Sequence, residues 1–309
     1  MTLQRPRTPK RAVHGVLLLD KPLGLSSSDA LQKAKRALRA EKAGHTGTLD
    51  PLATGLLPLA FGAATKFSQV SLDADKRYTA TLRLGQTTST GDLEGQLTAE
   101  REVKLTQAEI DAACARFTGA IDQQPPMHSA LKHEGRALYE YARAGITVER
   151  ASRKIWVHHI DLLDWQGTML VLDVLCSKGT YIRTLAEEIG HTLGCGAHLT
   201  ALRRTASGAL DVADAITLDA LLALDEAERD ALLLPPDALL ADWQAVHLNE
   251  EEAGRFLTGM RRAIDAPDCT QVRVYGPQAR ALLGAAHITA GELIADRLLS
   301  PIEVRALAA

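Results

Sequence analysis

The 309-residue chain is short of cysteine and has no long apolar run. Its four cysteines lie far apart, and no two of them form a C-x-x-C pair. Neither a disulfide framework nor a zinc site is indicated, so a reducing cytosol is the expected compartment. No apolar run approaches the ~20 residues of a membrane span, and Val13–Leu19 is too short for the apolar region of a signal peptide. These absences favour a cytoplasmic protein with no membrane contact.

Several catalytic motifs are also missing. The chain has neither G-x-x-x-x-G-K-[ST] nor G-x-G-x-x-G after a strand, so the common phosphate-binding loops are excluded. The absence of H-E-x-x-H, H-x-E…P-C-x-x-C and G-x-S-x-G excludes zinc proteases, zinc deaminases and serine hydrolases with a nucleophile elbow. His45 and Asp50 lie five positions apart in a glycine-containing stretch, which gives no fixed ligand geometry. We therefore expect no metal site.

The net charge of -3 conceals an uneven distribution along the chain. Residues 1–85 contain 14 Lys and Arg against 6 Asp and Glu, whereas residues 205–309 contain 8 against 17. Local charge matters more for nucleic-acid binding than the total, so the basic N-terminal third fits a polyanion-binding surface. A solvated helix face explains the same charges equally well.

Apolar periodicity and turn residues predict an α+β fold, because strands and helices alternate without a regular βαβ period. Strands are predicted near 14–20, 76–84, 153–163, 168–176, 198–204, 271–275 and 287–297, and helices near 26–40, 106–117, 136–143, 182–193 and 250–257. Residues 217–242 are leucine-rich and acidic, and a compact tail follows them.

The stretch Gly44–Pro58, G-H-T-G-T-L-D-P-L-A-T-G-L-L-P, surrounds the single carboxylate of Asp50 with backbone-bending residues. Pro51 pushes Asp50 away from the helical region, so the carboxylate is expected to project from a stiff, non-helical turn. An Asx-type turn, in which the aspartate only bonds its own backbone, is the alternative for this window.

Two other residues fit a site built around a carboxylate. Arg183 falls in the first turn of a predicted helix, where a cation opposes the helix dipole, so either an anion lies nearby or the arginine is simply exposed. Tyr78 begins the apolar face of the strand predicted at 76–84, a position that a plain core aromatic also occupies. Together these residues suit a carboxylate nucleophile or base kept ionised by an arginine, but they name no substrate.

Longer motifs then extend over most of the chain. In order, they are GVLLLDKPLG at 15–24, GHTGTLDPLATG at 44–55, ATKF at 64–67, KRY at 76–78 with LGQ at 84–86, QPPM at 124–127 with SALK at 129–132, CSKGTYIR at 176–183, and GCGAH at 194–198 with LRR at 202–204. By these motifs the chain resembles bacterial tRNA pseudouridine-55 synthases of the TruB family. Beyond about residue 210 only the pattern of a small RNA-binding, PUA-like tail fits.

The resemblance implies an architecture and a reaction. The fold would be α+β, with a mixed, mostly antiparallel central sheet flanked by helices in a catalytic domain at 1–245. A small β-rich, PUA-like RNA-binding domain would follow at 246–309. The reaction would isomerise uridine 55 in the T-loop of tRNA to pseudouridine after extrusion of the base, without any cofactor. The partner would be the tRNA T-stem-loop, and the protein would act as a monomer without an obligate protein partner.

The resemblance also implies roles for individual residues. Asp50 would be the catalytic aspartate and Arg183 its partner. Tyr78 would lie against the target uracil, Leu202 would line the uracil pocket, and His45 would insert where the base has left the RNA. Further substrate-binding positions implied by the same motifs are Lys21, Lys66, Asp92, Thr46 and Gly47.

Two other functions remain open on the same scaffold. One is an RNA-binding or tRNA-folding protein without catalysis, against which the intact Asp50, Tyr78 and Arg183 argue. The other is a guide-dependent pseudouridine synthase, against which the short bacterial-type tail argues.

Overall fold

The computed structural model describes residues 9–277 and 282–308. The α-helices are α1 (Ser27–Ala37), α2 (Ser68–Asp73), α3 (Gln107–Arg116), α4 (Leu138–Arg143), α5 (Ile182–Thr192), α6 (Leu218–Ala223), α7 (Glu226–Ala231), α8 (Glu250–Leu257) and α9 (Pro301–Ala308). Short 3₁₀ helices occupy Gly62–Phe67, Val212–Asp214 and Pro236–Leu240.

The strands are β1 (Gly15–Lys21), β2 (Ala43–His45), β3 (Ala53–Phe61), β4 (Lys76–Leu84), β5 (Gln86–Thr88), β6 (Leu97–Glu100), β7 (Gly119–Gln123), β8 (Lys132–His133), β9 (Arg136–Ala137), β10 (Arg153–Gln166), β11 (Met169–Cys176), β12 (Ala197–Ser207), β13 (Leu210–Asp211), β14 (Ile216–Thr217), β15 (Gln244–His247), β16 (Arg262–Ala263), β17 (Cys269–Tyr275), β18 (Leu282–Thr289) and β19 (Glu292–Leu298). The described chain divides into two compact units. The first contains the described parts of residues 1–50, 56–72 and 209–309, and the second contains 51–55 and 73–208.

The second unit is built on a mostly antiparallel sheet. From the first residues of β3 its strand order is β3-β12-β4-β11-β10-β7. Only the β3–β12 pair is parallel, and the four other pairs are antiparallel. Strand β4 alternates as predicted, because Ala80, Leu82 and Leu84 are buried whereas Arg77 and Arg83 are exposed. The period of two therefore sets which side chains of β4 face the core.

In the first unit, β1 lies between β14 and β3, and β2 pairs with the later residues of β3. A separate five-stranded sheet has the order β15-β17-β18-β19-β16. One apolar core of this unit joins residues from both sides of residue 245, among them Val16, Phe67, Tyr275 and Leu282. The domain boundary placed between 245 and 246 stays a prediction.

Side-chain caps explain where two of the predicted helices begin. The Ser26 side chain accepts a hydrogen bond from the backbone N–H of Asp29 at the start of α1. Thr106 and Glu109 form a capping box at the start of α3. Each cap satisfies a backbone N–H that has no partner within the helix, and this fixes the first turn. The helices predicted near 26–40 and 106–117 are confirmed.

The structure corrects the sequence reading in three places. Gly44–Pro58 is not all turn, because β2 ends at His45 and β3 begins at Ala53. Residues 86–88, which lie outside every predicted strand, form β5 and pair with β6. The helix α9 near the C-terminus was not predicted. Within 9–277 and 282–308, no helix combines the length and the apolar composition of a membrane span.

Candidate active site

The loop that carries Asp50 is attached to the start of α1 in the first unit. Leu49 donates its backbone N–H to Ser27 Oγ at 2.7 Å, and Ser27 Oγ donates to the Leu49 carbonyl oxygen at 3.0 Å. Leu49 and Ser27 are both buried. Asp50 follows this double contact directly, and Pro51 restricts its backbone on the other side. The local sequence thus holds Asp50 in a fixed, non-helical position, as predicted.

Thr46 is a structural residue of the same segment. Its backbone N–H donates to the Pro58 carbonyl oxygen at 3.0 Å, and its hydroxyl accepts from Ser71 Oγ at 2.8 Å. The residue is fully buried. Next to it, Gly47 has a φ of +107°, a conformation that favours glycine. His45 lies at the end of β2 opposite Leu59 of β3. The substrate contacts of His45, Thr46 and Gly47 stay predictions.

The two predicted lysines of the first unit both have partners inside the protein. Lys21 is fully buried, and its Nζ donates to the carbonyl oxygens of Pro22 and Leu25 at 2.9 and 2.6 Å. Lys66 Nζ lies 2.6 Å from Glu303 Oε2 and donates to the Leu298 carbonyl oxygen at 2.9 Å. Lys66 therefore ties the 3₁₀ helix at 62–67 to α9. Its predicted role in substrate binding remains untested.

Arg183 forms a buried ion pair in the second unit. It is the second residue of α5, and its Nη1 lies 3.5 Å from Asp92 Oδ2, with both side chains almost completely buried. Arg183 Nη2 also donates to the His128 carbonyl oxygen at 2.7 Å. Asp92 in turn accepts a hydrogen bond from the Glu94 backbone N–H at 3.0 Å. The alternative of an exposed arginine without a partner is wrong. Pairing of Arg183 with Asp50 stays a prediction.

Glu187, one turn further along α5, adds a second acidic group near this pair. Burial raises the pKa of Glu187, while the charge of Arg183 opposes that rise. Gly91 has a φ of +72°, which favours glycine, and a Cβ there would lie 2.8 Å from the Glu187 carboxyl carbon. Asp92 and Glu187 thus place two acidic groups near the Arg183 guanidinium.

Tyr78 and Leu202 lie on neighbouring strands of the second unit. Tyr78 of β4 faces Arg204 of β12 in the antiparallel register, and Leu202 faces Ala80 two residues away. All four side chains therefore share one face of the sheet. Leu202 is buried, whereas Tyr78 is partly exposed. The sheet brings the two residues predicted to contact the uracil onto one surface, and that contact stays a prediction.

Sequence reasoning missed two buried cations on this face. Arg204 is 1% exposed and Lys76 is 6% exposed. Burial, followed by the charge of Arg204, lowers the pKa of Lys76 to about 8. Alternation along β12 from Leu202 would have placed Arg204 on the same face, but the sequence alone did not say which residue it opposes.

One group of side chains has the donor types of a metal site. Among the described residues, possible ligand atoms of His159, Asp161 and Asp173 lie within 4.8 Å of one another. Arg77 Nε already donates to both carboxylate oxygens of Asp173, at 3.0 and 2.9 Å. Burial would raise the pKa of Asp173, but hydrogen bonds from Arg77 and His159 outweigh it and lower the pKa. The group is therefore explained as an ion-pair network.

Comparisons with known proteins match almost the whole chain. Residues 35–182 match the TruB family pseudouridylate synthase N-terminal domain, and residues 183–241 match the tRNA pseudouridylate synthase B C-terminal domain. Residues 245–299 match a further C-terminal domain of pseudouridine synthase II TruB. The tRNA pseudouridine synthase B of Cupriavidus pinatubonensis is 59% identical over 304 residues, covering 95% of this chain and 96% of that protein. The chain belongs to the TruB family of pseudouridine synthases. The protein of the same name from Ralstonia nicotianae is 56% identical, with 97% and 99% covered.

Comparison with solved structures supports the fold. An H/ACA ribonucleoprotein bound to a substrate RNA containing 2′-deoxyuridine is 25% identical with a TM-score of 0.72, covering 94% of this chain and 86% of that one. A Cbf5–Nop10–Gar1 complex is 26% identical with a TM-score of 0.70, covering 94% and 80%. The predicted α+β fold, with its mixed sheet, flanking helices and small C-terminal sheet, is confirmed.

Proposed function

We propose that this protein isomerises uridine 55 in the T-loop of tRNA to pseudouridine. The supporting observation is the 59% identity, over nearly the whole chain, to a relative named tRNA pseudouridine synthase B. In this reaction the N1–C1′ bond breaks, the uracil turns over, and C5 bonds to C1′. The proton lost from C5 is balanced by a proton gained at N1. Substrate and product have the same composition, so the reaction needs no redox partner and no group donor.

Asp50 is the proposed catalytic group. An ionised carboxylate can attack C1′, attack C6, or remove the proton from C2′ to give a glycal, and all three routes need the same charge state. Attachment of Leu49 to Ser27 holds the backbone next to Asp50 in place before RNA binds. A fixed position contributes to catalysis because no reorganisation is needed during the reaction.

Arg183 is proposed to pair with the Asp50 carboxylate and to orient it. Its contacts to Asp92 and to the His128 carbonyl oxygen hold the guanidinium by two separate nitrogens. A planar group held at two points presents its remaining N–H groups in a fixed direction. Asp92 thus acts through Arg183 and is a positioning residue in this proposal.

The target base has to leave the folded T-loop before any side chain can reach it. We propose that Tyr78 stacks on or contacts the extruded uracil, that Leu202 lines its pocket, and that His45 fills the vacated place in the RNA. The region 246–309 is proposed as an additional RNA-binding domain. Because tRNA is the proposed substrate, the protein would act in the cytoplasm, as a monomer without guide RNA or a protein partner.

The test is incubation of the purified protein with an unmodified tRNA transcript labelled with tritium at C5 of uridine. Pseudouridine formation releases one tritium per site, and mapping the product locates it. We expect release at position 55 without any other protein or RNA, and none from a transcript with cytidine 55. Release that requires an added guide RNA, or tRNA binding without release, would contradict the proposal.

A further inference from the structure

Arg204 is the largest fully buried side chain among the described residues. It is 1% exposed and lies directly opposite Tyr78 across the antiparallel β12–β4 pair. Side chains of directly opposed residues point to the same face of a sheet with Cβ atoms ~5 Å apart. The two side chains are hydrogen-bonded to one another. The cation therefore acts on the tyrosine directly, without an intervening residue.

The chemistry of the two groups determines the direction of this hydrogen bond. A guanidinium has five donors and no acceptor, so the hydroxyl oxygen of Tyr78 has to accept. The phenolic proton of Tyr78 cannot point toward Arg204 and is directed elsewhere. Burial lowers the pKa of Arg204, and Tyr78 opposes that change. Tyr78 is thus among the groups that keep the buried guanidinium charged.

A purely structural role accounts poorly for a charge at this position. Replacing a buried charged group by a well-packed apolar residue is often neutral or stabilising. Here a second cation, Lys76, lies on the same face of β4 and is lowered in pKa partly by the charge of Arg204. Repulsion between these two cations is a cost to folding that an apolar side chain at position 204 would not carry.

We infer that Arg204 is a positioning residue for the isomerisation, which holds the Tyr78 hydroxyl as an acceptor so that its O–H turns toward the target uracil as a hydrogen-bond donor. This inference rests on the proposed function, because it assumes that uracil lies beside Tyr78. The other titratable groups on this face of the neighbouring strands are Lys76 of β4 and Cys176 of β11, which oppose one another in the register.

The first test reads the hydrogen bond in the free protein and does not depend on activity. The intensity ratio of the tyrosine Fermi doublet in the Raman spectrum rises when the phenolic oxygen accepts a hydrogen bond. The signal of Tyr78 is obtained as the difference between the wild type and Tyr78→Phe. We expect an acceptor signature that is lost in Arg204→Met and retained in Arg83→Met, which removes an exposed cation from the opposite face of β4. A donor signature in the wild type would overturn the inference.

The second test is a double-mutant cycle on single-turnover pseudouridine formation. We expect Arg204→Met to lower the rate at least tenfold with tRNA affinity within twofold of wild type, and Arg204→Lys to retain more activity. In the Tyr78→Phe background Arg204→Met should have little further effect, because the arginine acts through the tyrosine. Independent, multiplying losses would refute the inference.

The two tests separate the inference from the function on which it rests. If the wild type forms no pseudouridine on tRNA, the proposed function fails while the Raman signature still decides the hydrogen bond. If Arg204→Met does not fold, the wild-type Raman signature and the activity of Arg204→Lys decide. An Arg204→Lys variant as slow as Tyr78→Phe with an unchanged signature would contradict a positioning role.

Discussion

Lys76 offers a stability prediction that can be worked out from its surroundings. It is 6% exposed, and burial together with the charge of Arg204 lowers its pKa from 10.5 to about 8. Between these two values the unfolded chain binds a proton at Lys76 that the folded chain does not bind. The free energy of unfolding therefore rises with pH across this window, by up to about 3 kcal/mol for the ~2.5 units.

Lys76→Met removes this pH dependence while keeping a side chain of similar length. We expect Lys76→Met to be more stable than the wild type at pH 7 and to lose that advantage as the pH rises from 8 toward 10. The difference in the free energy of unfolding between the two proteins should fall by about 1.4 kcal/mol per pH unit at most. Other groups titrate equally in both proteins, so their contributions cancel in the difference.

The assay is urea unfolding followed by tryptophan fluorescence in a Trp243→Phe background. The remaining tryptophans, Trp156 and Trp165, both lie on β10 in the same unit as Lys76. Lys104→Met is the matched control, because Lys104 is an exposed lysine of that unit. A stability difference between Lys76→Met and wild type that is constant from pH 7 to 10 would refute the reasoning.

Three other substitutions test separate parts of the structure. Asp50→Asn should abolish tritium release and leave tRNA binding within a few fold of the wild type. Arg183→Lys should severely lower the rate of tritium release, because lysine lacks the planar two-point contact. A wild-type rate in either variant would remove that residue from the site. Burial would raise the pKa of Glu303, but hydrogen bonds from Lys66 and Ser300 outweigh it and lower the pKa to about 2. The ionised Glu303 side chain contributes at most about 3 kcal/mol to the free energy of unfolding. This contribution is present above pH ~4.5 and is lost as the pH falls through 2. Glu303→Gln should therefore have a lower melting temperature than the wild type at pH 7, and its melting temperature should depend less on pH in acid.

The helices and strands predicted correctly are those whose local sequence pattern, apolar alternation or a capping residue, matches the burial and capping seen in the structure. Strand β4 was predicted at its observed bounds because its apolar residues alternate and the same residues are buried. Helix α3 was predicted because Thr106 and Glu109 carry the cap within the sequence itself. Strand β5 was missed because neither β5 nor β6 has a buried residue, so no apolar alternation marks β5.

The candidate site was predictable only in part. The motif around Asp50 and the resemblance to a family supplied its candidate residues, but neither predicted which distant residues they contact. The ion pair of Lys66 with Glu303 joins residues 237 positions apart, and no local sequence pattern predicts it. Likewise the register that sets Arg204 opposite Tyr78 arises only when β12 and β4 pair. Sequence motifs thus predict which residue types belong to the site, whereas the pairing of distant strands determines which residues lie next to one another.

The two buried arginines of the second unit, Arg183 and Arg204, are expected to differ in how their substitution changes stability and activity. Arg183 has Asp92 as a buried counter-ion, so removing its charge leaves a carboxylate unpaired and should destabilise the fold and inactivate the enzyme together. Arg204 lies opposite Tyr78, and its removal relieves the repulsion that helps to lower the pKa of Lys76. Arg204→Met should therefore be neutral or stabilising while it slows the reaction. Substitution of a positioning residue should lower activity and retain stability. Substitution of a residue that served only the fold should lower stability and retain activity.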